Sequence, residues 1–175
     1  MRTLIALIFL AATPLAAQDV TSPLLFSHQA GVVCAPEISG QSPAPDTVSG
    51  FTNSIAEDPP FVSNGRRVPA VKGVGFGVKA MAVDPDGISF VTMTITHPPM
   101  GPQKTTRQSF DTSIGGSNPS LTFYQFDFAY ELVSGPWTME ARQGDTLLYR
   151  TSFKVVPPAQ IPELARICGF EAMLS

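Results

Sequence analysis

Apolar and polar residues alternate with a period of two through most of the second half of the chain. Val74, Phe76, Val78, Ala80 and Ala82 stand against Gly75, Gly77, Lys79, Met81 and Val83, and a two-residue period puts each set on one face of a strand. Asp84-Pro85-Asp86-Gly87 then reads as a turn, with Pro presetting φ and Gly supplying φ > 0. Residues 88–97 alternate again, Val91, Met93 and Ile95 facing inward and Thr92, Thr94 and Thr96 outward. The two runs are expected to pair as a hairpin. Pro98-Pro99 is expected to end the second strand, because proline has no N–H to give a ladder. Residues 105–112 predict a further strand. The strongest alternation lies over 121–132, where Tyr124, Phe126, Phe128 and Tyr130 form one row and Gln125, Asp127, Ala129 and Glu131 the other. At strand spacing such a row is expected in the core; exposed to solvent, it would be a platform for a sugar or a peptide.

Two more strands are predicted, over 137–142 and 146–156, joined by Gln143-Gly144-Asp145. Trp137 is expected near the centre of the core, and Leu147, Tyr149, Phe153 and Val155 on one face. Helical signals gather only at residues 161–168, with Pro162 near the first position, Arg166 near the last and Gly169 just beyond. Short strands at regular spacing, broken by Gly/Pro turns, predict an all-β chain with the architecture of an immunoglobulin-like antiparallel β-sandwich. The Cys…Trp…Cys spacing of true immunoglobulin domains is absent. Before this region, residues 35–69 carry six prolines. Each removes a donor and biases its predecessor to extended geometry, so only short strands are expected there, one of them around Val48 to Asn53. The expected organisation is a signal peptide over 1–17, a Pro-rich N-terminal arm over 18–70, and a β-sandwich domain with its C-terminal helix over 71–175.

Composition narrows the classes. The 175 residues include 17 Pro, 14 Gly and 12 Phe, charged residues are only 14%, and the net charge is −3. The aromatic content argues against disorder, and 11 basic against 14 acidic residues argue against a nucleic-acid partner. Met1-Arg2, the apolar run from Leu4 to Ala12, Pro14 and the small residues Ala16-Ala17 have the three-part layout of a secretory signal. Cleavage is expected after Ala17. The run is about half the ~20 residues that span a bilayer, so no transmembrane anchor is expected after cleavage, and the location is periplasmic or secreted. In an oxidising compartment the two cysteines, Cys34 and Cys168, are expected to form one disulfide joining the start of the domain to its end.

Candidate chemistry is sparse. A Ser–His–Asp arrangement must use His28 or His97, the only histidines, and neither a G-x-S-x-G elbow nor an H-E-x-x-H helix is present. Gly73-Val74-Gly75-Phe76-Gly77 lies within an alternating strand, whereas a phosphate cradle needs a helix N-terminus; these glycines are expected to admit a neighbouring aromatic ring or a bulge. Asp84-Pro85-Asp86-Gly87 lacks the downstream carboxylates of a calcium loop. His97-Pro98-Pro99-Met100 offers imidazole and thioether, soft ligands that suit copper, with Met93 and Met81 as further sulfur. His97 and Met100 are therefore the candidate metal ligands; no cofactor is expected.

Val74-Gly75-Phe76-Gly77-Val78, His97-Pro98-Pro99 and Gly135-Pro136-Trp137-Thr138-Met139-Glu140, with the closing segment to Val156, resemble the exported bacterial domain-of-unknown-function family numbered 3859. The resemblance spans residues 71–156. It implies a secreted immunoglobulin-like domain and carries no catalytic residue. The expected function is an exported, non-catalytic β-sandwich module that binds a protein or a cell-envelope component, without nucleic acid. The alternative is a small metal-handling protein using His97 and Met100.

Overall fold

The computed structural model describes residues 19–34 and 36–169. The proposed signal, residues 1–17, lies outside them. The described residues form eleven strands and one α-helix: β1 (Val20–Thr21), β2 (Leu25–Val33), β3 (Ile38–Pro43), β4 (Phe51–Ile55), β5 (Arg67–Pro69), β6 (Gly75–Ala82), β7 (Ile88–Met100), β8 (Thr105–Ile114), β9 (Ser120–Gln125), β10 (Gly135–Gln143), β11 (Thr146–Val156) and α1 (Pro162–Ile167). The larger sheet has the order β1-β11-β10-β7-β8, with β5 parallel to β11, and the smaller sheet runs β2-β6-β9. All other pairings are antiparallel. The chain is an all-β sandwich, as the alternation predicts.

The inward faces follow the two-residue period. Phe76, Val78, Ala80 and Ala82 of β6 meet Val91, Met93 and Ile95 of β7 and Trp137, Met139 and Ala141 of β10 in one core. Trp137 is fully buried at its centre. Phe76 lies 5.6 Å from it and 4.8 Å from Phe153, and the Trp137 Nε1–H donates to the Val133 carbonyl. The polar tip of the indole thus has a partner, and its apolar body fills the core.

The expected β6–β7 hairpin does not form. The Asp84–Gly87 turn is present, with Gly87 N donating to the Asp84 carbonyl and Gly87 at φ 76°. It carries the chain from the smaller sheet to the larger, since β6 pairs with β2 and β9 while β7 pairs with β10 and β8. Each strand has one strongly apolar face, and placing them in opposite sheets buries those faces against each other. Pro98-Pro99 also acts differently from expectation. The two prolines lack partners in β8, but the backbone stays extended and Met100 pairs again with Thr105. A second irregularity, between Ile88 and Val91, turns Phe90 outward at φ 55° and 89% exposed.

The predicted strand over 121–132 stops at Gln125. Tyr124 and Phe126 enter the core as expected, but residues Ala129–Glu131 form a 3-10 turn. Phe128 and Tyr130 leave the row and stack on each other at 5.3 Å. The cause is Glu131, whose carboxylate accepts the backbone N–H of both Asp127 and Phe128 and bends the chain out of the sheet.

The glycines of β6 serve as expected. Gly77 faces away from the core, where an added Cβ would run into the Thr122 carbonyl and stand 2.5 Å from Phe123 Cβ. Opposite it, Gly31 of β2 leaves room for the Phe61 ring. Within the segment 18–70, expected to be a Pro-rich arm, the described strands β1, β2 and β5 join the two sheets. Among the described strands, only those of the β3–β4 hairpin pair with neither. Cys34, just after β2, is bonded to Cys168, just after α1, across 134 residues. That helix packs through Leu164, beside Ile161. Among the described residues no helix is long and apolar enough to cross a membrane.

Candidate functional site

The sandwich is open along one side. There β8 ends the larger sheet and β9 ends the smaller, and the two edges touch through a long hydrogen bond, Thr112 Oγ1 to Thr122 Oγ1 at 3.4 Å. The β3–β4 hairpin lies over the gap, enclosing a cleft of about 220 Å³. Its roof is Phe51 and Asn53 of β4, and its walls include Phe110 of β8 and Tyr124 of β9. Strand period turns Gln108, Phe110 and Thr112 of β8, and Thr122 and Tyr124 of β9, between the sheets.

The hairpin is held by polar latches. Val48 N–H donates to Gln108 Oε1 at 2.7 Å, Ser109 N–H to the Asp46 carbonyl at 3.2 Å, and Asn53 Nδ2 to Asp127 Oδ2 at 2.7 Å. Within β3 and β4 no residue is fully buried.

Four polar residues converge at the β9 end of the cleft. Glu131 is only 5% exposed. Its Oε1 accepts the Tyr124 hydroxyl at 2.6 Å, and its Oε2 accepts the Asp127 and Phe128 amides at 2.6 and 2.7 Å. Burial pushes its carboxyl above the ordinary range, although these hydrogen bonds pull the other way. Burial and the neighbouring carboxylate likewise push the Tyr124 phenol far above its usual value, so this hydroxyl keeps its proton and donates it. Gln125 Nε2 donates to Asp127 Oδ1 at 2.8 Å, whereas Gln125 Oε1 is buried without a partner. A buried acceptor without a donor costs about 1–3 kcal/mol. Among the described residues, no Lys, Arg or His lines the cleft.

The polar groups of the cleft are largely engaged with one another or with the backbone. Both Glu131 oxygens are committed to fixed donors. The hydroxyls of Thr47 and Ser49 donate to backbone carbonyls, and neither faces a histidine. His97 sits behind the wall, buried. Its Nδ1–H donates to the Pro98 carbonyl at 2.8 Å and its Nε2 accepts Gln108 Nε2 at 3.1 Å; a carbonyl partner at Nδ1 assigns the proton there. The ring lies 4.8 Å from Trp137. No lone pair of His97 is left for a metal. Met100 is buried, and no group of three or more His, Cys, Asp or Glu among the described residues could hold an ion. The copper reading of His97 and Met100 finds no support in this geometry. His28 stands at the far side, its Nε2 2.9 Å from Thr151 Oγ1 and its ring against Tyr149. Burial lowers the pKa of both histidines.

Of the cleft residues, sequence reasoning weighed only Tyr124, in the aromatic row that would be a sugar or peptide platform if exposed, and expected that row in the core. Period two assigned Gln125, Asp127 and Glu131 to the outer face of a long strand. The signal present was two acidic residues, four apart, among four aromatics in a chain with little charge.

An immunoglobulin-like protein from Pseudomonas aeruginosa, solved by crystallography at 1.50 Å, is similar at 21% identity with a TM-score of 0.46, over 80% of this chain and 98% of that one. No curated protein matches in sequence. The model of the family described as Domain of unknown function (DUF3859) matches residues 22–155, taking in β2 as well as all but the last residue of the segment 71–156 that carries the resemblance. The chain belongs to the DUF3859 family.

Proposed function

We propose that this chain is an exported, non-catalytic binding module, periplasmic or secreted, that holds a protein or another envelope component at the β8–β9 cleft. The observation that carries the proposal is the cleft itself: a preformed opening where aromatic rings and polar groups converge without a nucleophile–base pair. Concave sites with a few placed polar groups are where ligands bind. The Cys34–Cys168 bond supports work in an oxidising compartment, and the layout of residues 1–17 supports export. The volume suits one side chain or head group of the bound component rather than a whole peptide.

A photo-crosslinking amino acid at Phe51, in the roof, tests this in cells exporting the full chain. Discrete adducts are expected from position 51 and not from Phe26, an exposed control on β2 outside the cleft. They should weaken in a Gln125→Leu variant. Adducts equal at both positions, or none at 51, would remove the cleft as the binding site. Intact mass of the exported protein should show residues 1–17 lost.

A further inference from the structure

We propose that the outer face of the larger sheet is a docking surface for anionic lipid headgroups, independent of the cleft. The parity that turns Gln108 and Phe110 of β8 between the sheets turns Arg107 and Ser109 to the opposite side. Paired residues of neighbouring strands share a face, so register gathers five cations there. Arg67 of β5 is paired with Lys154 of β11, and Arg150 of β11 with Glu140 of β10. Arg142 of β10 is paired with Thr92 of β7, and Arg107 of β8 with Thr96 of β7. The acids brought to this face are Glu140 and Asp111. Glu140 is held by Arg142 and Arg150 at 2.6 Å each. Arg67, Arg107 and Lys154 are exposed and, among the described residues, meet no carboxylate. This face is therefore positive in a chain whose net charge is −3, and the negative excess lies on its other surfaces. A surface of one sign concentrates partners of the other.

Shape selects among anionic partners. From β5 to β8 the face is five strands wide, about 19 Å at ~4.8 Å per strand. Ser152, Thr138 and Thr96 stand between the cations in one cross-strand row that ends at Arg107, and none of the five cations lines the cleft. Short hydroxyl side chains build no walls. A compact anion needs donors that converge, whereas cations spread over several strands match an array of separate anions. A leaflet of anionic phospholipid presents such an array.

Apolar side chains on the same face favour a lipid surface over a soluble polyanion. Phe90 shares the parity of Thr92, Thr94 and Thr96, and the irregularity between Ile88 and Val91 pushes it out to 89% exposure. Its φ of 55° lies in the left-handed region, which a bulky side chain adopts only at a cost. An exposed ring held at a strained position gains nothing within the fold. At a bilayer interface it gains burial, while the cations beside it meet phosphate. Val20, 40% exposed, stands on the same face opposite Arg150.

Co-sedimentation of the processed, disulfide-bonded protein with vesicles tests the proposal. The probes are vesicles of phosphatidylethanolamine with phosphatidylglycerol, and neutral vesicles of phosphatidylethanolamine with phosphatidylcholine. Binding is expected to the anionic vesicles alone at about 50 mM salt, and is expected to be lost at about 1 M, where charges are screened beyond ~3 Å. Arg107→Gln and Lys154→Gln should each weaken it about fivefold. Lys79→Gln removes the same charge from the smaller sheet and should leave it unchanged. Phe90→Asn suits the left-handed backbone; weaker vesicle binding without a lower urea midpoint is expected. No co-sedimentation with anionic vesicles up to about 1 mM lipid, equal binding to neutral vesicles, or equal losses in Lys79→Gln and Lys154→Gln would overturn the proposal. Inorganic polyphosphate separates the two sources of phosphate. If it binds as tightly as the vesicles and Phe90→Asn weakens neither, the face reads phosphate in solution and the lipid assignment falls.

Discussion

His97 stands in a chain of hydrogen bonds with a defined direction. The Val48 amide donates to Gln108 Oε1, Gln108 Nε2 donates to His97 Nε2, and His97 Nδ1–H donates to the Pro98 carbonyl. Protonating Nε2 would face one donor with another. Relief requires turning the Gln108 amide, which then presents its NH₂ to the Val48 N–H and loosens the hairpin. Burial lowers the His97 pKa from 6.5, against a smaller opposing effect of the Pro98 carbonyl. The unfolded chain therefore binds the proton more readily than the folded one. By linkage, this contribution to stability is complete above about pH 6.5 and is lost as pH falls from there towards the lowered folded value. Urea unfolding from about pH 7.5 to about pH 5 is expected to show stability falling with pH, more steeply for the native chain than for His97→Gln. Equal slopes would mean that His97 does not titrate in this window. His28 shifts in the same direction and contributes to the slope that the variant retains, while the raised carboxyl of Glu131 acts with the opposite sign. At this scale the sequence marked His97 as unusual, but not why. Its role depends on Gln108, eleven residues away and brought alongside by strand pairing.

The β3–β4 hairpin is the element most weakly tied to the body. It pairs with neither large sheet, neither strand holds a fully buried residue, and polar latches join it to β8 and the Asp127 turn. Local opening costs least where few apolar contacts are buried. Backbone amides of β3 and β4 are expected to exchange with solvent faster than those of β6, β7 and β10, measured relative to intrinsic rates. Protection equal to that of the central strands would show the roof to be part of the rigid frame. The proline-rich composition signalled short, loosely held strands here, and β4 falls at the end of the expected Val48–Asn53 segment. The strand over 121–132 was legible to Gln125 and no further. Period two continues past that point in the sequence, but two backbone bonds to Glu131 outweigh it.

Across the whole molecule, the disulfide joins the end of β2 to the end of α1 and closes a loop of 134 residues. Such a cross-link stabilises chiefly by restricting the unfolded chain, by about 2–5 kcal/mol. A Cys34→Ser/Cys168→Ser variant should lose stability in that range, with a lower urea midpoint. An unchanged midpoint would show that Ile161 and Leu164 hold the C-terminal segment without covalent help. The inward faces of β6, β7 and β10, the central Trp137, the short final helix and the cysteine pair were determined by the sequence alone. A pleated strand sorts its side chains by parity, and that sorting is a local property readable in one dimension. Which strands share a sheet was decided only by the tertiary structure. Two amphipathic runs joined by a tight turn can pair edge to edge or stack face to face, and burial of both apolar faces favours stacking. The cleft was also decided there. It exists because β8 and β9 end their sheets on the same side, and because a turn folds Glu131, which parity would send to solvent, into the space between them.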